Sequence, residues 1–200
     1  MSLLRRRPIL RFFLLLAGVY VLLIVPWPGV NPAYMAFFRL AGNLLFHSTG
    51  PVGVVHFENR SPPNNPWATR VTFKNLRTGA EAHNDRCYAR HSYLTYALLT
   101  ALIVATPVPW SRRWKSLLLG LLLASAAVAF TIWLGIMDIF SGPPPVGQFS
   151  LSAFWRAALA AALRILTLSP EVPFALPTLI WPLVTLRPDD ARRWLGHAKP

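Results

Sequence analysis

Residues 117–137 read LLLGLLLASAAVAFTIWLGIM, an uncharged stretch of 21 residues. At 1.5 Å per residue a helix of this length spans about 32 Å, enough to cross the hydrocarbon layer of a membrane, which is about 30 Å thick. Glycine, alanine and serine are interspersed among its leucines, and small residues allow neighbouring helices to approach closely. The stretch therefore predicts a transmembrane helix that packs in a bundle.

The composition of the chain agrees with this prediction. Hydrophobic residues make up 54% of the 200 residues, the mean hydropathy is +0.42, and 14% of residues are charged, against about a quarter in soluble proteins. The formal net charge is +13, but the basic residues occur in short clusters beside apolar runs, which is typical of membrane proteins. No nucleic-acid partner is predicted, because phosphate binding needs a continuous basic surface.

Three further apolar runs predict additional spanning helices, at residues 9–25, 93–108 and 172–186. The first follows a basic N-terminus, and no small-x-small cleavage site follows it, so it is predicted to be an uncleaved signal anchor. The last contains three prolines, which predict a short and kinked helix. Together with residues 117–137 these runs predict about four transmembrane helices.

Two more helices are predicted at residues 33–47 and 151–168. Each carries polar residues on one side: Arg39, Asn43 and His47 in the first, Arg156 and Arg164 in the second. A polar stripe on an otherwise apolar helix is typical of an interfacial or partner-packed element. For residues 151–186 the alternative of two spans instead of one stays open.

Hydrophobicity falls between residues 51 and 91. Segments 55–58 and 70–74 alternate apolar and polar residues, a period of two that predicts β-strands. Residues 77–79, Arg-Thr-Gly, predict a hairpin turn that leads to a third strand at 80–83. Because strands this short are marginal alone, the insert is expected to rest on the membrane helices or on a partner.

The positions of the basic residues predict the topology. With four spans and the N-terminus inside, the tryptophan-flanked basic loop at 109–115 and both termini lie in the cytoplasm, and residues 28–91 lie outside. The predicted fold is a membrane all-α bundle of about four transmembrane helices plus interfacial helices, with a small extracytoplasmic β-insert. Three regions are predicted: the signal anchor and interfacial helix (1–50), the β-insert (51–91), and the transmembrane bundle with a cytoplasmic tail (92–200).

The densest polar cluster is HNDRCYARH at residues 83–91, at the predicted outer end of the second span. It contains the only cysteine of the chain, Cys87. A thiol close to Arg90 and His91 has the surroundings that lower a thiol pKa and produce a nucleophile, so these three residues are the catalytic candidates. The alternative is a polar junction between a strand and a helix.

Six further residues are predicted to bind a ligand or partner at the outer face: His83, Asp85, Asp138, Arg156, Arg164 and Glu171. Charged groups at a membrane boundary are candidates for function, and the two arginines are the expected partners of the boundary acids. The alternative is that the acids only seat helix ends in the interface. A metal site from the histidines, aspartate and cysteine of 83–91 matches no established ligand spacing, so no metal and no cofactor is predicted.

The motif CYAR at 87–90, which leads into a Leu/Ala span and then PVPWSRRW at 107–114, resembles bacterial envelope proteins of the exosortase and exosortase-associated kind over residues 85–137. Similarity to the accessory proteins of such systems implies a small β-element outside the inner membrane and a helical bundle inside it, with no defined reaction. The alternative is an exosortase-like membrane cysteine transpeptidase, or another membrane enzyme, that uses Cys87. Exosortases also carry a later Asn-x-x-Arg and a later histidine. No Asn-x-x-Arg follows Cys87, and the only later histidines are His91 and His197.

Three hypotheses of function follow. The favoured one is an inner-membrane accessory or scaffold protein that holds a partner protein or a lipid at the extracytoplasmic face. The second is a membrane enzyme that uses Cys87. The third, a small transporter or channel subunit, needs polar residues inside the spans, and the second and third spans offer little beyond Thr95, Thr100, Ser125 and Thr131.

Overall fold

The structure is a computed structural model, and it describes residues 8–25, 27, 29–49, 52–59, 69–84, 88–168 and 172–186. The described chain is mostly helical with a small antiparallel sheet, which confirms the broad fold prediction. Its helices are α1 (Pro8–Ile24), α2 (Val30–Phe46), α3 (Tyr88–Ala105), α4 (Trp110–Phe140), α5 (Ala153–Leu163), which continues in a π-helical turn (Arg164–Leu168), and α6 (Val172–Thr185). Its strands are β1 (Ser48–Thr49), β2 (Gly53–Asn59), β3 (Thr69–Asn75) and β4 (Glu81–Asn84).

The sheet has the order β1-β2-β3-β4, with every neighbouring pair antiparallel. Val55 and Phe57 of β2 and Val71 and Phe73 of β3 are buried, which confirms the alternation predicted from the sequence. Gly79 lies in the turn between β3 and β4 with φ of +70°, a conformation that glycine adopts without the clash of a Cβ. Strand β1 was not predicted, because its two residues are too few to show an alternation of apolar and polar side chains.

The chain divides by its internal contacts into two units. Unit 1 comprises residues 1–25, 94–126 and 173–200, and unit 2 comprises residues 26–93 and 127–172.

Unit 2 is built on the apolar face of the sheet. Met35 and Phe38 of α2 pack there, together with Ile132, Ile136 and Phe140 of α4. Aromatic rings meet edge to face at both contacts, with centroids 6.1 Å apart between Phe38 and Phe57 and 6.0 Å apart between Phe73 and Phe140. The sheet therefore rests on helices of its own chain, as its short strands require.

Unit 1 has a core of Leu99, Ile103, Ala124 and Ile180. The indole Nε1 of Trp181 donates to Thr106 Oγ1 at 2.7 Å, and Ser116 Oγ donates to the Val184 carbonyl oxygen at 2.7 Å. A Cβ at Gly120 would lie 3.2 Å from the Ile103 side chain. The small residues of α4 thus permit close helix packing in this unit, at Gly120 and Ala124.

The basic tryptophan segment at 109–115 is not a loop, which corrects the prediction. Residues 106–109 form the connection, and Trp110 begins α4. The Pro109 carbonyl oxygen accepts the N–H groups of Arg112 and Arg113 and so closes the first helical turn. Tryptophan, arginine and lysine are compatible with a helix, and no proline or glycine interrupts the chain between Pro109 and Gly120.

Within the described residues, α4 is the one helix that is long and apolar enough to cross a membrane. Its 31 residues correspond to about 46 Å of helix. Two shorter apolar helices occupy Ile9–Ile24 and Pro173–Thr185. The four-span arrangement is therefore still a prediction.

Candidate functional site

Helix α2 is fixed to β2 by two adjacent residues. Asn43 Nδ2 donates to the Phe57 carbonyl oxygen at 3.2 Å, and Asn43 Oδ1 accepts the Phe57 N–H at 2.8 Å. At the preceding position, a Cβ on Gly42 would lie 2.9 Å from the Phe57 ring. The polar stripe predicted on this helix therefore has a structural role at Asn43, where the amide takes the place of a neighbouring strand.

The segment 141–152, which connects α4 to α5, is attached to the turn between β3 and β4. Thr78 Oγ1 donates to the Pro145 carbonyl oxygen at 2.8 Å. Asn75 Nδ2 lies 3.4 Å from the carbonyl oxygens of residues 145, 146 and 147, while its Oδ1 accepts the Arg77 N–H at 3.0 Å. At the end of α4, the Phe140 carbonyl oxygen accepts the Gln148 N–H at 2.7 Å. The connecting segment is thus held in place by both the sheet and the helix.

This segment forms one wall of a polar cavity of about 720 Å³. The other contributors are Asp138 near the end of α4 and Arg156 in the first turn of α5. Eight residues of the connecting segment complete the lining: Ser141, Gly142, Pro143, Pro144, Gly147, Gln148, Phe149 and Ser150. We call this space the polar cavity, after the two charged residues in its lining.

A second, apolar space lies between α4 and α5, and we call it the α4–α5 groove. Its volume is about 400 Å³, which falls in the range of small-molecule sites, about 300–1,000 Å³. Its lining is apolar throughout and comes from both helices and from the connection between them: Phe130, Trp133, Leu134, Met137, Phe149, Leu151, Trp155, Ala158, Leu159 and Ala162. Phe149 lines both spaces.

The structure brings two of the predicted binding residues together. Asp138 and Arg156 both line the polar cavity, and both residues are exposed. Within the described part of the chain they form no ion pair with each other, and the guanidinium Nη2 of Arg156 lies 3.5 Å from the Leu151 carbonyl oxygen. Arg164 begins the π-helical turn, is exposed, and does not line the cavity. Glu171 lies outside the described residues.

The predicted cysteine cluster is described only in part, because residues 85–87 lie outside the described chain, and with them Asp85 and Cys87. His83 is on β4, where its Nδ1 lies 3.2 Å from Thr72 Oγ1. Arg90 and His91 occupy the first turn of α3 and are both exposed. Desolvation of the imidazole lowers the pKa of His91, and the positive charge of Arg90 lowers it further. Among the described residues no three His, Cys, Asp or Glu side chains form a group that could hold a metal ion.

Several residues that form the site were missed at the level of sequence. The groove residues follow helical spacing, with positions 130, 133, 134 and 137 on α4 and positions 155, 158, 159 and 162 on α5. That spacing marks one face of each helix but does not reveal that the two faces meet. Asn75 stands directly before the hairpin turn, a place where asparagine commonly bonds to the backbone two residues on.

No protein-family model, no curated protein and no solved structure matches this chain. The resemblance to exosortase-associated proteins therefore stays a prediction. The geometry of unit 2 and the surface of α4 remain as the observations that bear on function.

Proposed function

We propose that this chain is an integral inner-membrane protein, an accessory or scaffold subunit that holds a partner protein or a lipid at the extracytoplasmic face. The observation that carries the proposal is the apolar and exposed surface of α4. The site that would do the holding is formed by the polar cavity and the α4–α5 groove.

The surface of α4 fits a lipid environment. Its most apolar 18-residue window has a mean hydropathy of 2.4, yet only 22% of that window is buried. Leu118 and Leu122 are each 67% exposed. The core helix of a soluble protein would bury these side chains, since each buried leucine contributes about 1.5–3 kcal/mol in water. A secretory signal would lie near the N-terminus, whereas α4 begins at residue 110.

The first turn of α4 supports the proposed cytoplasmic end of this span. Trp110 and Trp114 are exposed and meet edge to face, with centroids 5.7 Å apart, and the Arg113 guanidinium lies 5.8 Å from the centre of the Trp110 ring. Exposed tryptophans mixed with basic residues are typical of the cytoplasmic membrane interface. With spans at 9–25, 93–108 and 172–186 added, both termini lie in the cytoplasm and the β-sheet lies outside.

The hydroxyl groups in the proposed spans favour a structural role over a channel. Thr95 Oγ1 donates to the Pro173 carbonyl oxygen at 3.4 Å, Tyr96 OH donates to Ser125 Oγ at 3.2 Å, and Thr131 Oγ1 donates to the Ala127 carbonyl oxygen at 2.9 Å. Each of these hydroxyls bonds to protein, as groups that join or stabilise helices do. A conducting path needs polar groups that face it instead.

A topology experiment tests the proposal and uses the single thiol of the chain. In intact cells with a permeable outer membrane, a membrane-impermeant maleimide is expected to label Cys87, because the topology places residues 28–91 outside. The matched control is Ser111→Cys in a Cys87→Ser background, which puts the thiol in the first turn of α4. This control is expected to react only after the inner membrane is permeabilised. The opposite pattern, or extraction of the chain by alkaline carbonate, would refute the proposal.

The same Cys87→Ser variant separates the scaffold from the enzyme hypothesis. A scaffold that does not use the thiol retains its function after this substitution. Loss of function at an unchanged membrane level would instead favour a cysteine enzyme that acts with Arg90 and His91.

A further inference from the structure

The polar cavity and the α4–α5 groove adjoin each other along two helices. On α4, Asp138 of the polar cavity follows Met137 of the groove, and on α5, Arg156 follows Trp155. From Asp138 to Phe130 the lining of the two spaces extends over eight residues of α4, or about 12 Å. The combined site is therefore elongated, with a polar end and an apolar end, which is the shape of an amphiphile.

The polar end presents one carboxylate and one guanidinium that are not joined in an ion pair within the described chain. A purely anionic ligand would meet repulsion from Asp138, and a purely cationic ligand would meet repulsion from Arg156. A group that carries both charges complements both side chains. Guanidinium binds phosphate through paired N–H donors, and a carboxylate accepts hydrogen bonds from a primary ammonium.

The apolar end has the surface of a site that faces hydrocarbon. Trp133 and Trp155 are 43% and 62% exposed, and Phe130 stacks on Trp133 with ring centroids 5.9 Å apart. Contiguous exposed apolar surface of this kind marks a site of interaction with a membrane or a partner. Tryptophan is enriched at the level of the lipid headgroups, which is where the polar cavity would then lie.

We propose that the two spaces bind a single phospholipid whose headgroup carries both a phosphate and a primary ammonium. The phosphate lies at Arg156, the ammonium lies at Asp138, and one acyl chain occupies the α4–α5 groove. This inference rests on the membrane location proposed above, and it names the lipid that the scaffold holds.

Selectivity in this site comes from the headgroup. An acyl chain that moves from the bilayer into an apolar groove exchanges one hydrocarbon environment for another and gains little. The two charged contacts are what distinguish this lipid from its neighbours. Because an exposed charge pair contributes up to about 1 kcal/mol, the ammonium contact is expected to produce an enrichment of about fivefold.

The test uses the purified full-length chain in vesicles that contain equal amounts of phosphatidylethanolamine and phosphatidylglycerol. After extraction in a mild detergent, native mass spectrometry counts the bound molecules of each lipid. Across the population of wild-type chains, about five are expected to carry phosphatidylethanolamine for each one that carries phosphatidylglycerol. Asp138→Asn is expected to reduce this ratio to about one, while Arg156→Gln reduces the binding of both lipids, since both contain the phosphate.

Arg164→Gln is the matched control, because Arg164 is an exposed arginine close to α5 that does not line the polar cavity. It is expected to leave both the ratio and the amount of bound lipid unchanged. Ala158→Trp fills the groove from α5 and is expected to reduce the retention of both lipids by sterically excluding the acyl chain, without changing their ratio, with helix content monitored by circular dichroism.

Three results would overturn the inference. They are a ratio of phosphatidylethanolamine to phosphatidylglycerol of one in the wild-type chain, the same ratio in Asp138→Asn as in the wild type, or a loss of bound lipid in Arg164→Gln as large as that in Arg156→Gln. Membrane fractionation of the cells from which the chain is purified tells this failure apart from failure of the proposed function. If the chain stays in the membrane but shows no lipid preference, only the lipid-binding inference is refuted. If the chain is found in the soluble fraction, the proposed membrane location is refuted as well.

Discussion

Replacing Asn43 tests how the small sheet is held by helix α2. In an antiparallel ladder only alternate residues bond to the same neighbour, and Phe57 lies in β2 with its N–H and carbonyl oxygen bonded to Asn43. The short strand β1 pairs only with Gly53 and Val54, so it offers no substitute partner. Asn43→Ala therefore leaves both backbone groups of Phe57 without their partner.

The expected loss follows from these two hydrogen bonds. Each contributes about 1 kcal/mol net, and an unpaired buried N–H adds a penalty of about 1 kcal/mol or more, which gives about 3 kcal/mol in all. Since 1.4 kcal/mol is a factor of ten, amide exchange at Phe57 is expected to become roughly a hundredfold faster. Asn43→Asp keeps the acceptor and loses the donor, so an intermediate effect is expected.

Hydrogen exchange measured by mass spectrometry in detergent micelles reads out the Phe57 amide, and thermal unfolding followed by circular dichroism reads out global stability. Leu44→Ala is the control, because the Leu44 side chain is 82% exposed. It is expected to leave the exchange of Phe57 unchanged. If Asn43→Ala changes the exchange rate of Phe57 by less than about twofold, the amide does not hold the strand and the reasoning is wrong.

Two other substitutions test single contacts. Gly42→Ala is expected to lower the thermal unfolding midpoint by overpacking against a buried ring, at a cost of about 1–3 kcal/mol, while Gly18→Ala on α1, where nothing lies within 4 Å, is expected to be neutral or stabilising; equal effects would contradict the packing argument. Glu81 forms a 2.8 Å ion pair with Lys74, and that hydrogen bond and charge lower the pKa of Glu81 below its usual 4.5. A lowered carboxyl pKa stabilises the fold above the usual value and loses this effect as pH falls through the lowered value. Glu81→Gln is thus expected to lower the unfolding midpoint slightly at pH 7 and by less as the pH falls below 4.5, and a difference that does not shrink with falling pH would argue against the pair.

Local pattern predicted much of the secondary structure. The alternation around Val55 and Val71 predicted two strands of the sheet, and the apolar run at 117–137 predicted the greater part of α4. The start of α4 was predicted wrongly, because the charges and tryptophans at 110–115 are equally compatible with an interfacial loop and with a helical turn. Tryptophan and basic side chains favour the membrane interface whether the segment is a loop or a helical turn. The hydrogen bonds to the Pro109 carbonyl oxygen show that it is a helical turn.

The candidate site was also predicted only in part from the sequence. Asp138 and Arg156 were chosen from the sequence because a charge at a membrane boundary is costly unless it is used. Their meeting in one cavity depends on the 12-residue connection 141–152 between α4 and α5, which is bonded to Asn75 and Thr78 of the distant hairpin. No local period encodes such contacts.

The apolar content of a segment and the spacing of its apolar residues depend only on residues that are close in the chain. The amino-acid sequence was therefore sufficient to predict a mostly helical chain with a small sheet and a long apolar helix. Which apolar faces meet depends on contacts between residues far apart in the chain. The α4–α5 groove, the docking of α2 through Asn43, and the polar cavity therefore emerged only from the folded structure, because each arises from surfaces that are close in space and distant in sequence.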